Sequence, residues 1–275
     1  MLSDLQFDRA RRLALSLAGI ELHERHRELL ERRSRRLGIA DGAGLNSLLG
    51  AAEAGETTAT GHLLGILTTK CTGFFRHPQH FRIAAEHALR AAGNRGQARL
   101  WSAAAATGEE PYSLAMALIE AFRRDDPPAR ILATDVDAEA LAAGERGEYS
   151  EVALSGLEPA RRERFMSETG VARRWSIAPA LRRLVEFHTL NLVREAWPAE
   201  GPFDVIFCRN VLMYLESRCR RAVLVRMASL LAPDGLLMID PTEHLGDAGH
   251  LFIPQADAVY RRSGAAKLQH NAVEL

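Results

Sequence analysis

The chain has 275 residues, of which 47% are hydrophobic and 25% charged, a balance that excludes a disordered, collagenous or low-complexity chain. Lys+Arg and Asp+Glu each number 35, so no global basic excess points to wholesale nucleic-acid or membrane binding. Cys71, Cys208 and Cys219 form neither a C-x-x-C pair nor an even framework, which argues against a disulfide scaffold or zinc ribbon and for free thiols in a reducing compartment.

Met1-Leu2-Ser3-Asp4 lacks a basic region followed by an apolar run, which argues against a signal peptide. The apolar stretches fall short of the roughly 18 residues that a membrane span needs. The reading is a cytoplasmic protein without direct membrane insertion.

Residues 1–92 show helical spacing. Leu13, Leu17 and Ile20, then Leu22, Leu29, Leu30 and Leu37, recur at three- and four-residue intervals. Gly38, Gly42 and Gly44 are expected to break the pattern before Leu45–Ala54 resumes it. A stripe at Leu63, Leu64, Ile66 and Leu67 and a helix over 80–92 complete an N-terminal helical domain, 1–92.

From Arg99 onward, apolar strands alternate with helices. Strands are expected at 100–103, 130–135, 184–187, 203–208 and 235–239. Helices are expected at 112–122, 138–144 and 217–231, and short antiparallel strands at 251–253 and 258–261. This alternation implies a parallel sheet with covered faces, an α/β domain over 93–275. Residues 146–183 break the alternation. With a charged helix at 160–167, a turn at Thr169-Gly170 and apolar runs near Trp175 and Leu181, they read as a small insertion.

In an open α/β sheet, ligands bind beyond the carboxyl ends of the strands, where the strand order reverses. The first strand ends in Ala103-Ala104-Ala105-Ala106-Thr107-Gly108-Glu109-Glu110, without the G-x-G-x-x-G fingerprint or a P-loop. Its small residues let a ligand approach the backbone. Thr107 and Glu110 also have the spacing of a capping box. Asp135 ends the second strand, placed either to bind a ribose diol or to cap the following helix. Arg209 and Asn210 follow the strand at 203–208, at an active-site edge or in a solvated loop. A glycine-poor turn with an acidic end on the second strand suits S-adenosylmethionine better than a nicotinamide cofactor. His23/His26 and His77/His80 have no third ligand nearby in sequence, so no metal site is expected.

Four segments carry a resemblance. They are Thr68–Arg76, Trp101–Ser113, Ala133–Asp137 and Phe203–Tyr214. Their order and spacing resemble CheR-type chemotaxis receptor methyltransferases across nearly the whole chain. The resemblance implies a Rossmann-like, S-adenosylmethionine-dependent methyltransferase sheet with an N-terminal helical domain and a small inserted β-subdomain. It implies methyl transfer to glutamate side chains of chemoreceptors, leaving S-adenosylhomocysteine. Residue by residue, it marks Thr72, Arg76, Glu110, Asp135, Asn191, Leu192, Arg209 and Asn210 as cofactor-contacting, and Arg76 and Tyr214 as orienting the reacting groups. A core tyrosine is the plain alternative for Tyr214. Lys70 stands where the family usually has Asn, and Asp240-Pro241-Thr242-Glu243 where it commonly has Gly-x-Ser-Glu.

The basic run Arg25, Arg32, Arg33 and Arg36 reads either as a solvated helix face or as a docking surface for the acidic helical bundle of a receptor. The stretch Ser167–Ala172 has one glycine, so weak or no binding of a C-terminal receptor pentapeptide is expected. The alternatives to receptor methylation are a methyltransferase of the same fold with another substrate and a non-catalytic cofactor-binding module.

Overall fold

A computed structural model describes residues 2–36, 38–39, 42–67, 72–171, 173–194, 197 and 200–264, without the side chains of residues 36 and 42. Four helices open the chain: α1 (Asp4–Ala18), α2 (Arg27–Arg36), α3 (Gly42–Glu53) and α4 (Thr57–Leu67). Ser3 starts α1 with a capping box, its hydroxyl accepting from Gln6 N while Gln6 Oε1 accepts from Ser3 N. Phe7, Ala10, Leu30, Leu49, Leu63 and Ile66 close this unit around its own core. Gly42 and Gly44, expected to interrupt helix, lie in the first turn of α3, where tertiary packing outweighs glycine's poor propensity. Arg25 sits in a separate 3-10 turn, Glu24–His26, before α2.

Helix α5 (Pro78–Arg95) begins with Pro in its first turn and buries Ala84, Ala88, Ala91 and Ala92. That spacing makes one small-residue stripe, which packs in the core of the sheet and against the next helix.

The rest of the chain alternates. β1 (Ala98–Ser102), α6 (Glu109–Phe122), β2 (Ala129–Asp135) and α7 (Ala138–Arg146) lead into an insertion. The insertion holds β3 (Glu148–Ser150), α8 (Pro159–Phe165), β4 (Met166–Glu168), β5 (Arg174–Ile177) and α9 (Pro179–Arg182). β6 (Val185–Thr189), β7 (Phe203–Phe207), α10 (Ser217–Leu230), β8 (Leu231–Met238), β9 (Phe252–Ala256) and β10 (Val259–Arg262) follow. Among the described residues no helix is long and apolar enough to cross a membrane.

The main sheet has the order β6-β2-β1-β7-β8-β10-β9. Its first five strands are parallel, and β10 runs antiparallel to both β8 and β9. The chain moves outward from β1 through β2 to β6, then returns to β7 on the other side of β1. The strand order therefore reverses at β1, and its carboxyl end is the predicted ligand crevice.

The insertion is a three-stranded antiparallel sheet, β3-β5-β4. The helix expected at 160–167 ends at Phe165 because Met166–Glu168 pair with β5. Arg161 ties the insertion to α6 by a two-pronged pair with Glu120, at 2.8 and 2.9 Å. Its guanidinium also lies 3.9 Å from the centre of the Phe75 ring.

Candidate functional site

The turn after β1 does not form the expected capping box. Gly108 is the N-cap of α6, with φ +94°, and it makes no side-chain cap. A Cβ there would come within 2.9 Å of Tyr149 Oη and 3.0 Å of Gly144 Cα, so the turn needs glycine for both angle and space. Thr107 Oγ1 donates instead to Glu109 Oε2 at 2.7 Å, and Thr72 also hydrogen-bonds Glu109. Glu110 turns inward, accepting from Ser102 Oγ at 2.8 Å and from Arg209 Nη1 at 3.1 Å. Burial pushes the Glu110 carboxyl up, and the Arg209 charge opposes the shift.

Asp135 has the second of its two possible roles removed. Helix α7 is capped by Asp137, whose Oδ1 accepts from Ala140 N at 3.0 Å. Asp135 stands two residues earlier, at the end of β2, and lines a cavity. Its Oδ2 accepts from Ala106 N at 2.9 Å and its Oδ1 from Asp137 N at 3.0 Å. The carboxylate is thus fixed across the ends of β1 and β2 and keeps lone pairs for a diol. Burial raises its pKa, with the N–H groups of Asp137 and Ala106 working against the rise.

The opposite wall comes from β7 and the turn after β8. Arg209 is buried, with Nη1 on Glu110 and Nη2 donating to the Arg76 carbonyl at 2.9 Å. Asn210 adopts φ +59°, a left-handed conformation that Asn tolerates. Glu243 holds this bend: its carboxylate accepts from the backbone N of Asn210 (2.9 Å), Met213 (3.2 Å) and Asp240 (3.0 Å). Asp240 Oδ2 lies 3.5 Å from Arg76 Nη2. Sequence reasoning gave Asp240 and Glu243 no role. The signal available was two acidic residues directly beyond an apolar strand, at the carboxyl edge of the sheet.

One cavity joins these parts, with an empty volume of about 980 Å³, its open mouth included. All nine sequence-derived site residues line it: Thr72, Arg76, Glu110, Asp135, Asn191, Leu192, Arg209, Asn210 and Tyr214. Asn191 has its amide committed elsewhere, donating to Leu17 O at 2.6 Å and accepting from Val193 N at 3.1 Å. It therefore ties the loop after β6 to the end of α1. Ala18, Ile20 and Leu67 from the helical unit complete the lining. Ile20 forms an antiparallel bridge with Leu215, flanked by Glu21 N donating to Tyr214 O at 2.9 Å and Glu216 N to Gly19 O at 2.8 Å. Tyr214 sits against the helical core rather than inside the sheet.

The donor set fits S-adenosylmethionine. Ala103, Ala104 and Ala106 open the floor, the fixed Asp135 carboxylate would accept from a ribose diol, and Val136, Leu190 and Leu192 offer apolar walls for a base. The Glu110 carboxylate is already paired with Arg209, which leaves the Asp135 carboxylate to meet a cationic cofactor. Among the described residues no group of three or more His, Cys, Asp or Glu side chains could hold a metal ion. Lys70 and Cys71 lie outside the described residues, as does Ala172.

The basic run splits. Arg25 and Arg32 are exposed, but Arg33 is half-buried and donates from Nη1 to Ile66 O at 2.7 Å, fastening α2 to the end of α4. Arg25 does not share the α2 helix with Arg32, and the Arg36 side chain is not described.

The sequence matches the family described as CheR methyltransferase, SAM binding domain, over residues 70–260. It is 38% identical over 269 residues to a chemotaxis protein methyltransferase of Escherichia coli (strain K12), covering 95% of this chain and 92% of that one. It is 36% identical over 260 residues to chemotaxis protein methyltransferase 2 of Pseudomonas aeruginosa, covering 92% and 91%.

Proposed function

The chain belongs to the CheR family of S-adenosylmethionine-dependent methyltransferases, and from that premise we propose that it methylates glutamate side chains of chemoreceptors in the cytoplasm, forming glutamate methyl esters. The observation that carries the reading is one cavity that gathers a ribose acceptor, Asp135, with Arg76 and Tyr214. When bound, S-adenosylmethionine supplies an electrophilic methyl group on a sulfonium centre. A glutamate carboxylate is already ionised at neutral pH, so the chain needs no strong general base. Its work is alignment, which in favourable cases is worth about 7–11 kcal/mol of barrier.

Asp135 holds the ribose, and Thr72, Glu110, Leu192, Arg209 and Asn210 shape the rest of the cofactor seat. Arg76 holds the acceptor carboxylate by charge-assisted bonds, and Tyr214 adds a phenolic donor. Asn191 acts through the loop that it ties down. Arg25, Arg32 and Arg36 dock the acidic receptor bundle, whereas Arg33 is occupied within the helical unit. The small inserted sheet is an accessory surface with weak or no grip on a receptor pentapeptide.

The chain divides into a helical unit and a methyltransferase unit. The sequence suggests residue 92 for the boundary. The seating of α5 in the sheet core favours a boundary between α4 and α5.

Incubation with tritiated S-adenosylmethionine and chemoreceptor-containing membranes tests the reading. Base-labile label on the receptor is expected, as from an ester. Base-stable label or none would overturn it.

A further inference from the structure

The turn after β8 carries two buried carboxylates, and neither lines the cavity. Glu243 acts on backbone N–H groups. Asp240 is placed differently. It is 1% exposed, and its Oδ1 accepts from Thr242 N at 3.1 Å and from Thr242 Oγ1 at 2.7 Å. Its Oδ2 is buried without a hydrogen bond and lies 3.5 Å from both Arg76 Nη2 and His77 Nε2. The Asn210 side chain also hydrogen-bonds this carboxylate.

Asp240 therefore touches two residues of the cavity wall, Arg76 and Asn210, from behind. Burial works against its charge, but bonds from Thr242 and Asn210 and the Arg76 guanidinium outweigh it and hold the carboxyl below the usual range. A buried anion is costly unless cations and donors stay beside it. The local backbone supports the arrangement: His77, between Arg76 and α5, takes φ +62° as the N-cap of that helix. That turn delivers Arg76 and His77 to the same carboxylate oxygen. The resembled pattern has Gly at this position, which offers no such anchor.

We propose that Asp240 is a positioning residue for methyl transfer, fixing the Arg76 guanidinium from behind the cavity wall so that Arg76 is aimed at the acceptor carboxylate in the cavity. The guanidinium fork has five N–H donors, enough to serve a carboxylate on each side. The inference rests on the reading of Arg76 as the holder of that carboxylate.

A double-mutant cycle on the full chain tests it, using tritiated S-adenosylmethionine and chemoreceptor membranes. The variants are Asp240→Asn, Arg76→Lys and the pair. Asp240→Asn keeps an acceptor for Thr242 but turns an amide toward the donors of Arg76 and His77. It should lower kcat about tenfold in the wild-type background and less than about twofold in the Arg76→Lys background, because it acts through Arg76. Cofactor affinity, read by calorimetry, should stay within about twofold. If Asp240→Asn melts low, Asp240→Gly takes its place in the cycle. An equal loss in both backgrounds, or a loss of cofactor affinity in place of kcat, overturns the proposal. Wild-type turnover in Arg76→Lys and Arg76→Ala alike overturns the reading of Arg76 itself, and this inference with it.

Discussion

The cavity has two halves built on different principles. On the sheet side, polar groups are fixed by buried hydrogen bonds: Asp135 by two backbone N–H groups, Glu110 by Ser102 and Arg209, and Asn210 by Glu243. On the helical side, the lining is Ala18, Ile20 and Leu67, and the described hydrogen bonds to the sheet domain run through backbone groups at Gly19–Glu21, through Asn191 and, away from the cavity, between His62 and Glu139. The sheet edge therefore holds most of the fixed polar groups, and the helical unit adds an apolar cover. Pre-organised polar groups cannot be moved without loss. An apolar cover held by a short backbone seam can be loosened while the fold survives.

The largest effect is expected on the sheet side. Arg209→Met leaves the buried Glu110 carboxylate without its cation and should cost about 3–5 kcal/mol of stability, read as a lowered urea midpoint. An unfolding free energy within about 0.5 kcal/mol of wild type would show that the pair does not organise this wall.

The seam comes next. Gly19 ends α1 at φ +62°, and a Cβ there would lie 2.8 Å from Val193 Cγ1 and 2.9 Å from Cys219 Sγ. Gly19→Ala should cost about 1–3 kcal/mol. Native-state hydrogen exchange should speed up at Glu21 and Glu216 while β1 stays protected. Equal acceleration in β1 would erase the distinction between the halves.

Acidification separates them in a third way. Because burial raises the pKa of Asp135, its carboxylate is lost at a higher pH than that of a free aspartate. Cofactor affinity should therefore fall as pH drops through that raised value. Asp135→Asn should flatten the dependence, while the Gly19 variant keeps it. A pH profile that Asp135→Asn leaves unchanged would assign the titration elsewhere.

The smallest effect is expected outside the cavity. Arg32→Glu should raise the KM for receptor a few-fold and lose that effect at high salt, since screening acts over about 8 Å at physiological ionic strength. Cofactor affinity should not change. Indifference of KM to both the charge and the salt would make this a solvated face.

The parallel strands were readable because strands buried on both faces are near-continuous apolar runs, as in Arg130-Ile131-Leu132-Ala133-Thr134-Asp135 and Phe203-Asp204-Val205-Ile206-Phe207. Asp135, Arg209 and Asn210 were readable because they stand at strand ends, whereas Thr72, Arg76, Glu110, Asn191, Leu192 and Tyr214 were marked only by the family resemblance, Thr72 and Arg76 lying between α4 and α5. What local pattern misjudged was settled by distant partners. Thr107 and Glu110 have capping-box spacing, but Glu110 is drawn away by Arg209, which lies 99 positions along the chain. Arg33 belongs to a basic run, yet it bonds a carbonyl 33 positions away. Met166 reads as the end of a charged helix until its pairing with Ile177 is known. Asp240 and Glu243 gain meaning only when β8 is placed beside β7.

The central claim is that the sheet edge around Asp135 is the cofactor seat. Calorimetric titration of S-adenosylhomocysteine into wild type and Asp135→Ala, at matched melting temperature, tests it most directly. The account predicts one site per chain and a loss of about 1.5–3 kcal/mol in the variant, the usual range for a hydrogen bond to a charged group. No binding heat in wild type, or equal affinity in both proteins, would contradict it.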